Sequence, residues 1–183
     1  MQELTPTAKV ILGFLRLGAR NGYEIKGAVE LSTRFFWGAS FGQIYPELRR
    51  LEDAGLVTSA DDAHGGRNRR SYELTPRGER ALDAWLKSTD EPLFAYRDEG
   101  LLKLFFGGLL ERDAVLAGAR ATRQWFEAAL AFFRTELEPR ARAGAGERDD
   151  FPLLTLEFGI ALLEFIVGWW ARTEARLDEE AAP

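Results

Sequence analysis

Five arginines have the types and spacing that suggest a binding surface. They fall in two short segments and are Arg49, Arg50, Arg67, Arg69 and Arg70. Guanidinium groups bind phosphates and the edge of guanine, and the amide of Gln43, close to the first pair, matches the donor and acceptor edge of adenine. These residue types predict a nucleic-acid surface, provided that local structure brings the two segments onto one side of the molecule.

A capped helix is predicted to carry the first pair. Ser40 and Gln43 have capping-box spacing, and Ile44, Leu48 and Leu51 follow at helical spacing before Gly55. A helix over residues 40–54 would be about 22 Å long, enough to lie in a major groove. Pro46 falls inside it and removes one backbone hydrogen bond, and such broken local rules are frequent at functional sites.

A β-hairpin is predicted to carry the other three arginines. Residues 56–59 and 70–74 alternate as strands, and the segment between them holds Gly65, Gly66 and the single histidine, His64. Glycines at such a tip let the backbone approach a nucleic-acid groove closely.

Three further helices surround these elements. Thr5-Pro6 and Thr75-Pro76 each predict a helix start, and Asn21 with Glu24 predicts a second helix that ends around residues 35–38. Three helices, a hairpin with a basic tip and one more helix form the order of a winged helix-turn-helix, which we assign to residues 1–88.

The second half of the chain is predicted to be all helical. After a linker at residues 89–97, helices are expected over 98–106, 113–138 and 151–177, within a domain covering 98–183. Pro139 is expected to stop the long middle helix, and residues 140–150 to form a loop. The fold class is therefore mainly α with a small β-hairpin: an N-terminal winged helix-turn-helix followed by an all-helical C-terminal dimerisation domain.

The net charge of −5 is unevenly distributed. Residues 1–78 carry 11 basic and 9 acidic residues, whereas residues 79–183 carry 13 and 20. A weakly basic front half is thus joined to an acidic rear half, and the five clustered arginines count for more than the global sum.

Several function classes are excluded by composition. No cysteine and one histidine leave no metal site or disulfide framework, and neither a phosphate-binding glycine loop after a strand nor a Gly-x-Ser-x-Gly elbow occurs. We therefore predict that the protein is not an enzyme and uses no metal or cofactor.

One apolar run reaches transmembrane length. Residues 153–171 form it, but Glu157 and Glu164 lie on one helix face, where charge is costly in a bilayer. The favoured interpretation is a helix buried in a core or subunit interface with an acidic stripe exposed, in a cytoplasmic protein without a secretory signal or a membrane partner. A proton-linked or cation-binding role for the two glutamates is the alternative.

Four segments resemble one bacterial family. Leu4-Thr5-Pro6-Thr7, Gly22-Tyr23-Glu24-Ile25, the stretch from Gly42-Gln43-Ile44-Tyr45-Pro46 to Gly55-Leu56, and Gly66-Arg67 through Leu74-Thr75-Pro76-Arg77-Gly78 resemble the PadR transcriptional regulators. The resemblance covers residues 4–80. The helical pattern that follows is similar to the larger PadR type, which has a separate helical C-terminal domain.

The resemblance implies a homodimeric repressor of operator DNA. In that family the Tyr of the Tyr-Pro pair and the wing arginines are associated with DNA contacts. The chain has Asn68 where family wings often carry proline. Combined with the residue types above, the assigned DNA-binding set is Tyr23, Ser40, Gln43, Tyr45, Arg49, Arg50, Gly66, Arg67, Asn68, Arg69 and Arg70.

Large aromatic residues concentrate in the last two long helices. Their favoured interpretation is core or dimer interface, and the assigned interface residues are Leu154, Phe158, Leu162, Phe165 and Trp169. Because several members of the family sense planar aromatic compounds, a small aromatic or apolar effector is the second interpretation, with Trp125, Phe126, Phe133 and Trp170 as its lining.

An alternative function remains open at this stage. The winged domain could belong to a helical protein-interaction module that does not bind DNA. Operator, effector, regulated genes and the sign of regulation are not specified by the sequence.

Overall fold

The chain forms two units, each with its own core. The computed structural model describes residues 4–61, 70–144 and 151–179. The units are Met1–Pro92 and Leu93–Pro183, so the division falls inside the segment predicted to be a linker.

The first unit has the predicted winged-helix order. Helices α1 (Pro6–Arg16), α2 (Gly22–Leu31) and α3 (Phe41–Asp53) precede strands β1 (Val57–Asp61) and β2 (Arg70–Leu74), and α4 (Pro76–Leu86) follows. The strands are antiparallel, with Val57 opposite Leu74 and Asp61 opposite Arg70. The predicted fold class, a mainly helical protein with a small hairpin, is confirmed.

Side-chain caps begin these helices where the sequence predicts. The Thr5 hydroxyl accepts the Ala8 amide at 3.1 Å, the Asn21 side chain accepts the Glu24 amide at 2.9 Å, and Thr75 accepts the Gly78 amide at 3.1 Å. Each bond satisfies a first-turn amide that has no partner within its own helix.

Two predicted boundaries were wrong. Helix α2 ends at Leu31, because the hydroxyl of Ser32 donates to the Ala28 carbonyl and that of Thr33 to the Trp37 carbonyl, which favours turns over further helix. Strand β1 runs from Val57 to Asp61 rather than over residues 56–59, because pairing with β2 continues up to Arg70.

Helix α3 lies at the centre of the first unit. Its apolar face, Ile44, Leu48 and Leu51, is fully buried against residues of α1, α2 and α4, among them Ile11, Leu12, Ile25 and Leu82. Burial of each large aliphatic side chain contributes roughly 1.5–3 kcal/mol. The polar face of α3 is thereby held outward on a fixed support.

Every regular element among the described residues of the second unit is helical. Helix α5 (Glu99–Phe105) and a 3-10 turn (Gly107–Leu109) precede α6 (Arg112–Phe132), a π turn (Phe133–Leu137), α7 (Glu138–Gly144) and α8 (Phe151–Glu179). Helices α6 and α8 pack together, and Ala119, Ile166 and Trp170 form the centre of one cluster between them.

The long middle helix does not stop at Pro139, as the sequence predicted, but continues to Gly144. The π turn places the Glu138 amide against the Phe133 carbonyl, one residue further back than in an α-helix, and so shifts the ladder just before the proline. Pairs Glu136–Arg140 and Glu138–Arg142 support the continuation. Of the predicted loop, residues 140–144 are helical and 145–150 lie outside the described part.

Helix α8 is long and apolar enough to cross a membrane by length and composition, a test that a core or interface helix of a soluble protein also passes. Glu157 and Glu164 are both exposed on it, as predicted, and Glu164 pairs with Arg134.

Candidate nucleic-acid interface

The polar residues of α3 divide between two flanks of the helix. Phe41, Tyr45 and Arg49 recur every fourth residue and share one flank. Gln43, Glu47 and Arg50 lie on the other flank. The neighbours of each flank decide what its side chains are available to do.

The second flank is engaged in holding α3. The Gln43 amide oxygen accepts the backbone amide and the hydroxyl of Ser40, each at 3.0 Å, which closes the N-terminus of the helix. Arg50 donates to both carboxylate oxygens of Glu47, at 3.0 and 2.6 Å, and Glu47 also accepts the Thr5 hydroxyl at 2.5 Å. These bonds tie α3 to the start of α1.

These hydrogen bonds shift the pKa of both Glu47 and Arg50. The Arg50 hydrogen bonds lower the pKa of Glu47 against the opposing effect of its partial burial, and the Thr5 hydroxyl lowers it further. The hydrogen bond to Glu47 raises the pKa of Arg50. Both groups are therefore charged near neutrality, and their charges are directed at each other.

The first flank opens onto a groove. The groove lies between the N-terminus of α2, the Tyr45 side of α3 and the ends of β1 and β2 where Asp61 pairs with Arg70, and we call it the α3 groove. Its lining residues are Asn21, Gly22, Tyr23, Tyr45, Arg49, Asp61, Arg70 and Tyr72.

Tyr45 rests directly on Gly22. A Cβ atom on Gly22 would lie 2.8 Å from Cε1 and 2.9 Å from Cζ of the tyrosine ring, so any larger residue would displace the ring. Gly22 is also the first residue of α2, where backbone amides carry the positive end of the helix dipole. The phenol is thus held beside a helix end that favours anions.

Three aromatic rings form a row beside the α3 groove. The Phe41 ring lies 6.4 Å from Tyr23 and 6.1 Å from Tyr45, at interplanar angles of 16° and 18°. All three side chains are exposed. The row extends the α3 groove toward the N-terminus of α3.

The described strands of the hairpin are fixed on both sides. Arg70 lies 3.5 Å from the Glu52 carboxylate of α3, which also accepts the Ser59 hydroxyl at 2.6 Å. The Tyr72 amide donates to the Arg20 carbonyl at 2.7 Å, which joins β2 to the α1–α2 turn. Arg70 is therefore presented at the rim of the groove.

The Leu-Thr-Pro segment anchors the hairpin to α4. The Thr75 hydroxyl donates to the Gly55 carbonyl at 2.8 Å, and Gly55 turns the chain after α3 with a φ of 66°. A methyl group on Gly78 would overlap the carbonyl oxygen of Leu56, so α4 approaches this turn at a distance that only glycine permits.

The structure brings together only part of the predicted DNA-binding set. Tyr23, Tyr45, Arg49 and Arg70 line the α3 groove, whereas Ser40, Gln43 and Arg50 are engaged in capping and anchoring. Gly66, Arg67, Asn68 and Arg69, with His64, lie outside the described residues. The groove is also lined by Asn21, Gly22, Asp61 and Tyr72, and Phe41 stacks on two of its tyrosines; none of these was in the predicted set. The spacing of Phe41 from Tyr45 was a signal for the first flank, but the contact between Gly22 and Tyr45 has no local signature.

The predicted dimer residues have two different environments. Leu154, Phe158 and Phe165 are more than half exposed and recur on one face of α8, which we call the α8 face. Leu162 and Trp169 are partly buried against Ile166 and Trp170. Only the first three are placed to meet another molecule directly.

The predicted effector residues do not surround a common space. Trp170 is 1% exposed and packs with Phe126 in the core of the second unit, and Phe133 is also buried, whereas Trp125 is 65% exposed. A polar pocket between the middle of α6 and the C-terminal part of α8 is lined by Arg120, Arg123, Glu174 and Asp178, which pair with one another. Within the described residues, no three metal-ligating side chains cluster.

Family models match both units. Residues 11–84 match the transcriptional regulator PadR-like family, and residues 96–178 match the model described as virulence activator alpha C-term. The transcriptional regulator Rv3488 of Mycobacterium tuberculosis is 40% identical over 86 residues, which cover 46% of this chain and 78% of that protein. The chain belongs to the PadR-like family of transcriptional regulators.

Solved structures extend this PadR-like match over both units. The negative transcriptional regulator PadR of Bacillus subtilis is 36% identical over 104 residues, 56% of this chain, and the aligned part spans 57% of that protein. Its structure in complex with operator DNA has a TM-score of 0.84 at 26% identity and covers 96% of this chain and 99% of that one. Its structure with p-coumaric acid has a TM-score of 0.75 at 27% identity, over 95% and 99%.

Proposed function

We propose that this chain is a sequence-specific regulator that binds double-stranded operator DNA through the first flank of α3. The α3 groove carries the proposal, because it joins two arginines, three tyrosines and a helix N-terminus on one open surface. The B. subtilis relative, of the same fold, was solved in complex with operator DNA. A groove with these donors matches the chemistry of a nucleic-acid backbone and base edges.

The geometry assigns separate tasks to the elements. Helix α3, with 13 residues, is about 20 Å long and enters the major groove, where Tyr45 and Arg49 reach base edges or phosphates. Arg70 at the start of β2 and the first amides of α2 contact phosphates, which positions the protein without reading sequence.

The proposal includes a homodimer that forms through the α8 face. Exposed Leu154, Phe158 and Phe165 on one helix face favour association with a second copy, with Leu162 and Trp169 supporting them from beneath. Two α3 helices spaced 34–36 Å apart would meet successive major grooves of a pseudo-palindromic site.

The regulator is proposed to act in the cytoplasm as a repressor released by a small aromatic or apolar compound. The name of the B. subtilis relative, a negative regulator, supports repression, and its p-coumaric acid complex supports an aromatic effector. The residues that would bind an effector are not defined by the packing of Trp125, Phe126, Phe133 and Trp170.

Two adjacent arginines give a matched test of DNA binding. The probe is the intergenic DNA beside the gene, with affinity measured by fluorescence anisotropy between 50 and 300 mM salt. We expect steep salt dependence, a weaker complex for Arg49→Ala, and a salt slope smaller by about one unit if Arg49 contacts phosphate.

Arg50→Ala provides the comparison, because its guanidinium is directed at Glu47. This variant should unfold more easily than the wild type, whereas the salt dependence of its DNA affinity should change little. A wild-type affinity for this DNA that is independent of salt would contradict the proposal and favour a protein-interaction module. Footprinting with candidate aromatic compounds then tests their release of the DNA.

A further inference from the structure

Phe41 is an exposed aromatic residue in an unusual place. It is the first residue of α3, directly after the Ser40 cap, and its side chain is 42% exposed. It is not part of the buried cluster of the first unit, whose contacts from α3 come from Ile44, Leu48 and Leu51. Neither the core nor the cap therefore accounts for a large ring at this position.

The ring is nevertheless held in a defined orientation. Tyr23 and Tyr45 flank Phe41 with nearly parallel planes, and Tyr45 is in turn fixed against Gly22. A flanked ring has less rotamer freedom to lose on binding than an isolated one. The two neighbouring rings also direct the Phe41 ring along the side of α3 that carries Arg49.

Major-groove chemistry limits what a phenyl ring can recognise. The edges of the bases present hydrogen-bond donors and acceptors, and the one apolar group among them is the C5-methyl of thymine. Residues at the N-terminus of a recognition helix are those that approach base edges. Gln43, the polar residue of this turn, already uses its amide oxygen on Ser40.

We propose that Phe41 is a specificity-determining residue that contacts a thymine methyl group in each half-site. This inference rests on the proposed function, since it requires α3 in the major groove of duplex DNA. The inference assigns a preference for thymine to Phe41, a residue of the first flank. The Tyr23 and Tyr45 rings act as positioning residues for that contact.

Replacing thymine with uracil tests the contact, because only the methyl group is lost. Duplexes are first selected from a random-sequence library with the full-length protein, and each dT of the enriched site is then replaced by dU in both half-sites. At one position we expect the wild type to bind the dU duplex about fourfold more weakly per half-site than the dT duplex. This is the change in affinity expected when one buried methyl-sized group is lost. Phe41→Ala should bind dT and dU duplexes equally at that position.

Trp85→Ala is the control, since it removes an exposed ring of the first unit that belongs to α4 and not to the row. It should keep the difference between dT and dU, even if its overall affinity falls. Circular dichroism and thermal unfolding establish that both variants fold, and Phe41→Leu replaces Phe41→Ala if the latter does not.

The outcomes separate this inference from the proposed function. If a site is enriched but replacing dT by dU never weakens binding, the role of Phe41 is overturned and DNA binding stands. The same holds if the loss on replacing dT by dU is as large in Phe41→Ala as in the wild type. A library from which no duplex is enriched would contradict both.

Discussion

At the scale of single residues, two small contacts decide which side chains of α3 are available. Gly22 provides space for the Tyr45 ring, and Glu47 takes up the guanidinium of Arg50. Adjacent arginines with the same chemistry thus have different surroundings. Arg49 is left available for the proposed DNA contact, whereas Arg50 holds the helix through Glu47.

Gly22→Ala is expected to weaken DNA binding through Tyr45. The added methyl would lie within 3 Å of two ring atoms, so the ring must leave the N-terminus of α2. We expect about a tenfold loss of affinity in the wild-type background and almost none when Tyr45 is already alanine. A double-mutant cycle of binding constants measures this coupling, and additive losses would show that Gly22 acts independently of the ring.

Glu47→Gln is expected to make stability less sensitive to acid. Because the folded state lowers the pKa of Glu47, its contribution is complete above the ordinary value of 4.5 and is lost as the pH falls through the folded pKa. At pH 7 the variant should be about 1 kcal/mol less stable, a figure reduced because Arg50 is partly exposed and solvent screens the pair.

Urea unfolding at pH 7 and at pH 3.5 measures the effect, with Glu73→Gln, an exposed carboxylate on β2, as the control. The difference between Glu47→Gln and the wild type should shrink at the lower pH. An equal difference at both pH values would mean that the charge of Glu47 is not what stabilises the α1–α3 contact.

At the scale of elements, the hairpin is held by its base. Thr75 bonds to the turn after α3, Gly78 lets α4 pack onto that turn, and the Tyr72 amide bonds to the α1–α2 turn. These contacts fix the direction in which Arg70 points. They involve backbone atoms, so they tolerate little displacement.

Gly78→Ala is expected to destabilise the first unit by about 2–3 kcal/mol. The new methyl would overlap the Leu56 carbonyl, and α4 and the turn would have to separate. Gly13→Ala in α1 is the opposite case, because nothing lies within 4 Å of its Cβ position, and it should stabilise by about 0.5–1 kcal/mol. Thermal unfolding of both variants measures the contrast, and equal effects would contradict the close approach at Gly78.

Local signals explain which elements could be predicted from the sequence. The caps at Thr5, Asn21 and Thr75 act within four residues, so the helix starts could be predicted, and the winged-helix order followed from them. The π turn before Pro139 is a backbone adjustment with no signature in residue type. The two flanks of α3 depend on which helices pack beside it, and so Gln43 and Arg50 were assigned by chemistry alone.

At the scale of the whole molecule, the two units differ in charge: residues 1–92 carry 13 basic and 13 acidic residues, whereas residues 93–183 carry 11 and 16. The basic residues of the α3 groove belong to the first unit, and the acidic excess belongs to the second. The negative charge of the second unit disfavours indiscriminate attraction to phosphates. The second unit contributes its exposed apolar α8 face instead.

Phe158→Glu is expected to break the proposed dimer. It adds a charge to the α8 face near Glu157, and in a two-fold interface each substitution counts twice. We expect the dimer dissociation constant to rise at least 30-fold, and DNA affinity to fall with it. Sedimentation equilibrium measures the association state.

Trp125→Glu is the control, because Trp125 is similarly exposed but lies on α6. It should leave the association state unchanged. A Phe158→Glu variant that remains dimeric would place the interface elsewhere on the second unit.

The division of α3 into two flanks also bears on how such a regulator can change during evolution. The residues that hold the helix, Glu47 and Arg50, are distinct from the exposed positions 41 and 49. Substitutions at positions 41 and 49 would therefore alter the proposed contacts to DNA at little cost in folding free energy. Duplicated copies of the gene could acquire new target sites by changes at these positions, with the same scaffold retained.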